Sequence, residues 1–214
     1  MERQKKLRWL RRATAVSAVT RKNTATQHCR QNKTSPISAA FDTIDHVTLI
    51  NRLRTSFGIT GSVLSWLQSY LSNRTQLVHI GHHSSTSTRC TTGVPQGSVL
   101  GPLLFVIYIS PIAIITRSFQ VCHQQYADDT QLFIALNPSD PSPDIANLTT
   151  CLHALHSWFC VNGMALNPDK SDAILLGTRQ RSRTFASVRS VDVAGCPVLL
   201  SDSQLTAYQA NVYC

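Results

Sequence analysis

The chain lacks a hydrophobic run that reads as a membrane span. Of its 214 residues 43% are hydrophobic, yet no stretch offers the roughly 18 uninterrupted apolar residues a spanning helix needs. The longest candidate, Val99 to Ile115, is broken by Gly101, Pro102, Ser110 and Pro111. No membrane partner is expected. A secretory signal is also missing. Arg8, Arg11 and Arg12 stand where its apolar core would begin, and Ala13 to Thr20 is short and weakly hydrophobic. The same Arg-rich, acid-poor start leaves a mitochondrial transit peptide as an alternative. No CxxC pair occurs among the cysteines at 29, 90, 122, 151, 160, 196 and 214, and their number is odd. The default is reduced, mostly buried thiols in an intracellular protein, nuclear or cytoplasmic. His153, His156 and Cys160 fall on one prospective helix face, but such a cluster without a fourth ligand reads as helix surface rather than a zinc site. No internal repeat is present.

Acid is nearly absent from the start of the chain. Residues 1–34 hold ten Lys and Arg against Glu2 alone, and the remainder holds ten of each sign, so the net +9 belongs to the N-terminal segment. Such a segment is either a solvated, disordered arm or a binder of nucleic acid or another anionic surface through counterion release.

Regular patterning begins near Ile37. Leu49, Ile50, Leu53 and Phe57 share a helical face over His46 to Phe57, and Gly58 is a natural stop. Thr60 opens a second helix with Val63, Leu64, Leu67 and Leu71 on one face. Thr75 to Gly81 and a short strand ending near Thr92 suggest a hairpin. Gly93 to Gly101 is a loop that opens an apolar helix reaching about Ile109. Phe119 to Tyr126 and Asp129 to Ala135 are β-prone runs joined at Ala127 and Asp128. After the prolines at 138, 141 and 143, a helix carries Ile145, Leu148, Leu152, Leu155 and Phe159 on one face until Asn162-Gly163. A polar turn at Asn167 to Lys170 precedes a short strand at Ala173 to Leu176. The irregular alternation predicts an α+β fold, with helices packed on an antiparallel sheet.

Four segments carry chemistry. Tyr126-Ala127-Asp128-Asp129 places adjacent carboxylates at a hairpin turn. Their mutual repulsion is useful when a divalent cation offsets it, and Mg2+ prefers such oxygens. Gly93-Val94-Pro95-Gln96-Gly97-Ser98-Val99-Leu100-Gly101-Pro102 has two glycines that admit close approach of a backbone or base, and Ser98 can cap the helix that follows. The third is Ala39-Ala40-Phe41-Asp42-Thr43-Ile44-Asp45-His46. The fourth is Leu166-Asn167-Pro168-Asp169-Lys170-Ser171.

In this order, with the connecting Ser69-Tyr70-Leu71-Ser72-Asn73-Arg74-Thr75-Gln76, these segments resemble the reverse transcriptase domain of non-long-terminal-repeat retrotransposons over roughly Ser38 to Thr178. The resemblance implies a polymerase palm-like sheet packed with helices, with fingers and thumb largely missing. It implies RNA-directed DNA polymerase ancestry, with an RNA template, a DNA primer, deoxynucleotides and Mg2+ or Mn2+. Asp128 would be the principal metal ligand, with Asp129 beside it. Tyr126 would brace the primer end or nucleotide pocket. Phe41 matches the aromatic that blocks a ribose 2′-hydroxyl. Gln96 and Gly97 would lie against the template base and incoming nucleotide. Lys170 would stabilise or protonate the leaving pyrophosphate, and Arg74 would contact nucleic acid.

Two departures limit that expectation. The family places a further metal-binding aspartate five residues before the aromatic, after an apolar strand. Counting back from Phe41 reaches Pro36, which has no carboxylate and removes a strand donor. Asp42 is expected to cap or support the helix near His46 rather than replace it. Losing one of three carboxylates should remove several kcal/mol of transition-state stabilisation. The flanks are also short, which reads as an open reading frame truncated at both ends, with a missing strand that exposes a sheet edge. The expected organisation is a disordered basic arm at 1–34, a partial palm at 35–178 and a divergent tail at 179–214. The expected function is a reverse transcriptase by descent, inactive or severely impaired. The alternatives are an active polymerase completed by a partner or another metal ligand, and a non-enzymatic nucleic-acid-binding protein that uses the basic arm and the remnant groove.

Overall fold

The computed structural model describes residues 14–20, 24–25, 40–95, 97–177, 185 and 187–204. Pro36 and Gln96 lie outside them, as do all ten N-terminal cations. The chain forms two compact units: a sheet unit (Met1–Thr24, Pro111–Val161 and Ala165–Cys214) and a helical unit (Ala25–Ser110 with Asn162–Met164). Two-residue strands β2 (Thr24–Ala25) and β9 (Met164–Ala165) fall where the chain passes from one unit to the other.

In the helical unit, α1 spans His46–Phe57 and α2 spans Gly61–Leu71. Asp45, not Asp42, caps α1: its carboxylate accepts from Thr48 N at 2.7 Å. Asp45 has the extended backbone (φ −72°, ψ 123°) that an N-cap requires. Gly58 ends the helix in the left-handed region (φ 65°), and its N–H bonds to Leu53 O. Leu49 and Leu53 are fully buried, while Phe57 is exposed. Thr60 occupies the cap position of α2 without a side-chain hydrogen bond. The expected hairpin forms as two short ladders, β3 (Thr75–Gln76) with β6 (Thr88–Arg89), and β4 (His79–Ile80) with β5 (His83–Ser84). Helix α3 (Leu100–Ile109) packs on α1 and buries Leu104, Phe105, Ile107, Tyr108 and Ile109. The Arg52 guanidinium lies 4.9 Å from the centre of the Tyr108 ring. It also donates to Asn162 Oδ1 at 3.2 Å, as Tyr108 donates to Asn162 O. This fastens the distant Asn162–Met164 segment to the helices.

The sheet unit is a six-stranded sheet in the order β11-β12-β10-β1-β8-β7. The strands are β1 (Thr14–Thr20), β7 (Cys122–Tyr126), β8 (Asp129–Leu136), β10 (Ser171–Gly177), β11 (Ser190–Val193) and β12 (Cys196–Gln204). All pairings are antiparallel except β10 with β12. Helix α5 (Ser142–Val161) packs against β8, β11 and the short α4 (Ile112–Ser118). It buries Leu148, Leu152, Leu155 and Phe159.

Three expectations need correction. Thr14–Thr20 is not part of an arm: β1 pairs along its length with both β8 and β10 in the middle of the sheet. The cations cluster at 3–12 and 21–33, leaving 13–20 uncharged, and an uncharged run with two valines and two threonines suits an interior strand. The slot expected to lack a strand is therefore filled from upstream. The thiols are not mostly buried: of the five described cysteines only Cys151 is, and Cys122, Cys160 and Cys196 are exposed. Burial pushes the Cys151 thiol up to about 11. Finally, Leu100–Ser118 is a 19-residue span long and apolar enough to cross a membrane by length and composition. The chain divides it into α3 and α4 at Ser110 and Pro111.

Candidate active site

In the sheet unit, β7 and β8 form a hairpin in which Tyr126 pairs directly with Asp129. Only Ala127 and Asp128 remain for the turn. Ala127 takes a positive φ of 49°, a conformation costing a non-glycine residue about 1–2 kcal/mol. Side chains brace the turn: Gln125 Nε2 donates to Ala127 O at 3.0 Å, and Thr130 Oγ1 donates to Gln125 Oε1 at 3.2 Å. Asp128 and Asp129 are half-buried at the tip. Tyr126 is 81% exposed.

The register gathers Lys170 to the same end of the sheet. Thr20 pairs with Thr130 on one side and with Ser171 on the other. Lys170 precedes Ser171 and Asp129 precedes Thr130 in sequence, so they flank one row two strand spacings wide, about 10 Å. Asn167 shapes the Pro168–Lys170 turn by accepting from Asp169 N with its side chain. Lys170 itself is exposed. Among the described residues no group of three His, Cys, Asp or Glu side chains is placed to hold a metal ion. The His153, His156 and Cys160 cluster does not form one either: His153 Nε2 sits 2.9 Å from Asp192 Oδ1, and that bond holds the Asp192 carboxyl below its ordinary range.

The helical unit carries Phe41, Gly97 and Arg74. The Phe41 ring lies against Phe105 at 4.7 Å between centres. Gly93 N donates to Ile44 O, Val94 N donates to Phe41 O, and His46 Nε2 donates to Gly93 O at 2.7 Å. The loop is thus laced to the Phe41 segment. Gly93 has φ 85°, and a Cβ there would lie 3.0 Å from Asp42 Cα. Its close approach is to this chain's own backbone. Gly97, at φ 77°, has open space where a Cβ would point. Ser98 braces the start of α3, accepting from Gly101 N at 3.0 Å and donating to Pro95 O at 2.7 Å. Arg74 stacks on Tyr70, 4.7 Å from the ring centre, and lines a cavity of about 260 Å³ with His46, Gly93 and Pro95.

The sequence profile of the reverse transcriptase (RNA-dependent DNA polymerase) family matches residues 5–198. The chain belongs to this family. Its relatives place it among the non-long-terminal-repeat retrotransposon type. The RNA-directed DNA polymerase from mobile element jockey of Drosophila melanogaster is 32% identical over 151 residues, covering 68% of this chain and 16% of that protein. The probable RNA-directed DNA polymerase from transposon BS of the same fly is 28% identical over 138 residues, covering 62% and 15%. The chain thus spans a small part of the relatives it matches. An apo telomerase from Candida tropicalis, truncated from its C-terminal domain, superposes with a TM-score of 0.56 at 12% identity, over 92% of this chain and 37% of that one. That likeness supports the reverse transcriptase fold. The family match reaches past both ends of the Ser38 to Thr178 resemblance and includes β1 and β11.

One signal was averaged away in the sequence reading. Beyond residue 34 the charges sum to zero, but they are segregated. Residues 46–127 contain no Asp or Glu and five arginines (Arg52, Arg54, Arg74, Arg89 and Arg117). Eight of the later ten acids fall after residue 127. Basic character is not confined to the N-terminus.

Proposed function

We propose that this reverse transcriptase domain descends from a template-directed deoxynucleotidyl transferase and has lost most or all of that activity. The observation that carries the proposal is Pro36, which stands five residues before Phe41 where the family carries a metal-binding aspartate, while the hairpin tip gathers the other two carboxylates. Asp128 and Asp129 would hold one divalent cation, Mg2+ or Mn2+, since two carboxylates suit a hard ion that keeps part of its water shell. They do not suffice for a two-ion arrangement. A bound ion would supply charge stabilisation to the phosphates of a nucleotide. Lys170, at the same sheet end, would face the departing pyrophosphate. Phe41, held by Phe105, would exclude a ribose 2′-hydroxyl. Gln96 and Gly97 would meet the template base and nucleotide, and Tyr126 the primer end. The partners are an RNA template, a DNA primer and deoxynucleotides, in the nucleus or cytoplasm.

Primer extension on an RNA template, with Mg2+ or Mn2+ and Asp128→Ala as control, tests this reading. The expected result is extension at or near background from folded protein. Extension that disappears in Asp128→Ala would overturn the proposed loss. The second reading, nucleic-acid binding without catalysis, is favoured by the acid-free stretch of residues 46–127.

A further inference from the structure

Helix α2 and the turn after it carry a column of side chains, Trp66, Tyr70 and Arg74, of which the polymerase reading uses Arg74 alone. Trp66 and Tyr70 stack at 5.9 Å between ring centres and 23° between planes. The Arg74 guanidinium continues the column, 4.7 Å from the centre of the Tyr70 ring. Its Nε–H donates to Tyr70 O at 2.8 Å, which fixes the stack in place. Trp66 and Tyr70 are four residues apart on α2, about 6 Å along its axis, and Arg74 lies three residues past its end. Trp66 is 57% exposed, on the side away from the buried Leu67 and Leu71.

The charge around the column points to the occupant. No acid occurs in residues 46–127. The nearest carboxylates in the helical unit are Asp45, which caps α1, and Asp42, which faces the Arg74 cavity. Among the described residues no carboxylate pairs with Arg54, Arg74 or Arg89, and all three are exposed. A single strand of nucleic acid brings both required parts: base faces for the aromatic column and phosphates for the arginines. We propose that Trp66, Tyr70 and Arg74 form a stacking platform for single-stranded nucleic acid. The platform is formed within the helical unit alone, whereas the carboxylate hairpin belongs to the sheet unit.

The test is anisotropy of a fluorescein-labelled oligo(dT) strand titrated with the full chain in EDTA at moderate salt. Trp66→Ala should bind about tenfold more weakly, the loss of one stacked base, while Trp66→Phe should stay near the parent. Arg74→Ala should weaken binding and reduce the slope of log affinity against log salt by about 0.7. Melting curves confirm that these exposed substitutions leave the fold intact. Unchanged binding in Trp66→Ala and Arg74→Ala would overturn the proposal and assign the affinity to the N-terminal cations. It would be overturned equally if the variants changed only the oligomeric state seen by light scattering. The assay needs neither metal nor deoxynucleotide, so active primer extension would defeat the proposed loss of catalysis and leave the platform standing.

Discussion

The helical and sheet units distribute their acids differently: of the chain's eleven, Asp42 and Asp45 fall in the helical unit and nine in the sheet unit. Between Asp45 and Asp128 the chain carries arginine and no acid. Four of those five arginines lie in the helical unit, and Arg74 stacks on Tyr70 beside Trp66. The sheet unit concentrates carboxylate, and places two of them on a braced hairpin tip. On the proposed reading the helical unit would meet the phosphates of a nucleic acid and the sheet unit a divalent cation. Polymerisation needs both, and their demands on sequence differ. A basic surface tolerates loss, since each arginine contributes its own increment. A metal site does not, since its ligands act as a set. On that reading the first would persist where the second is incomplete.

The contrast can be broken from either side. The largest effect is expected in the helical core: Phe105→Ala removes a fully buried ring that also supports Phe41. It should cost about 3–5 kcal/mol, read as a shift in the urea midpoint. A loss under 1 kcal/mol would mean the α1–α3 packing is not what holds Phe41. Gly93→Ala should cost about 2 kcal/mol or more. Its φ of 85° disfavours a side chain, and the added Cβ would press on the Asp42 backbone at 3.0 Å. Near-neutral stability would show that the loop moves freely from Asp42. Putting acids where the chain has none is the next step. Gln68→Glu with Ser72→Glu, at exposed positions on and beside α2, should weaken oligonucleotide binding roughly tenfold by like-charge repulsion, with thermal stability unchanged. Removing the exposed acid Asp140 by Asp140→Asn should leave binding unaltered.

The smallest effect concerns pH and the sheet edge. His123 on β7 lies 2.9 Å from Thr116 Oγ1. Burial, and then the nearby Arg117, lower its pKa from the ordinary 6.5. The unfolded chain therefore binds more protons than the folded one just below pH 6.5, so stability falls as pH drops through that point. The contribution should be under about 1 kcal/mol, given partial exposure. His123→Gln should flatten this part of the stability–pH curve, and an unchanged curve would remove His123 from the account.

Much of this arrangement was legible in the sequence because it rests on local signals. The 3.6-residue spacing of Leu49 and Leu53, with Gly58 as a stop, placed α1 at its observed bounds. The paired strands and two-residue turn placed the carboxylate hairpin. What was missed depended on distance or on averaging. Net charge over residues 1–34 hid the uncharged strand β1, whose partners lie more than 100 residues away. Net neutrality beyond residue 34 hid the acid-free stretch. Asp42 and Asp45 are both plausible caps by type, and only the backbone at Asp45 decided between them. The stack of Arg74 on Tyr70 crosses the end of α2, so helical spacing alone does not reveal it.

The central claim is that the hairpin tip holds at most one divalent ion. Equilibrium titration of the full chain with Mn2+, counting bound ion by electron paramagnetic resonance, tests it most directly. The account predicts at most one weakly held ion, lost in Asp128→Ala. Two ions per chain, both lost in Asp128→Ala, would contradict it and mean that a third ligand completes the site.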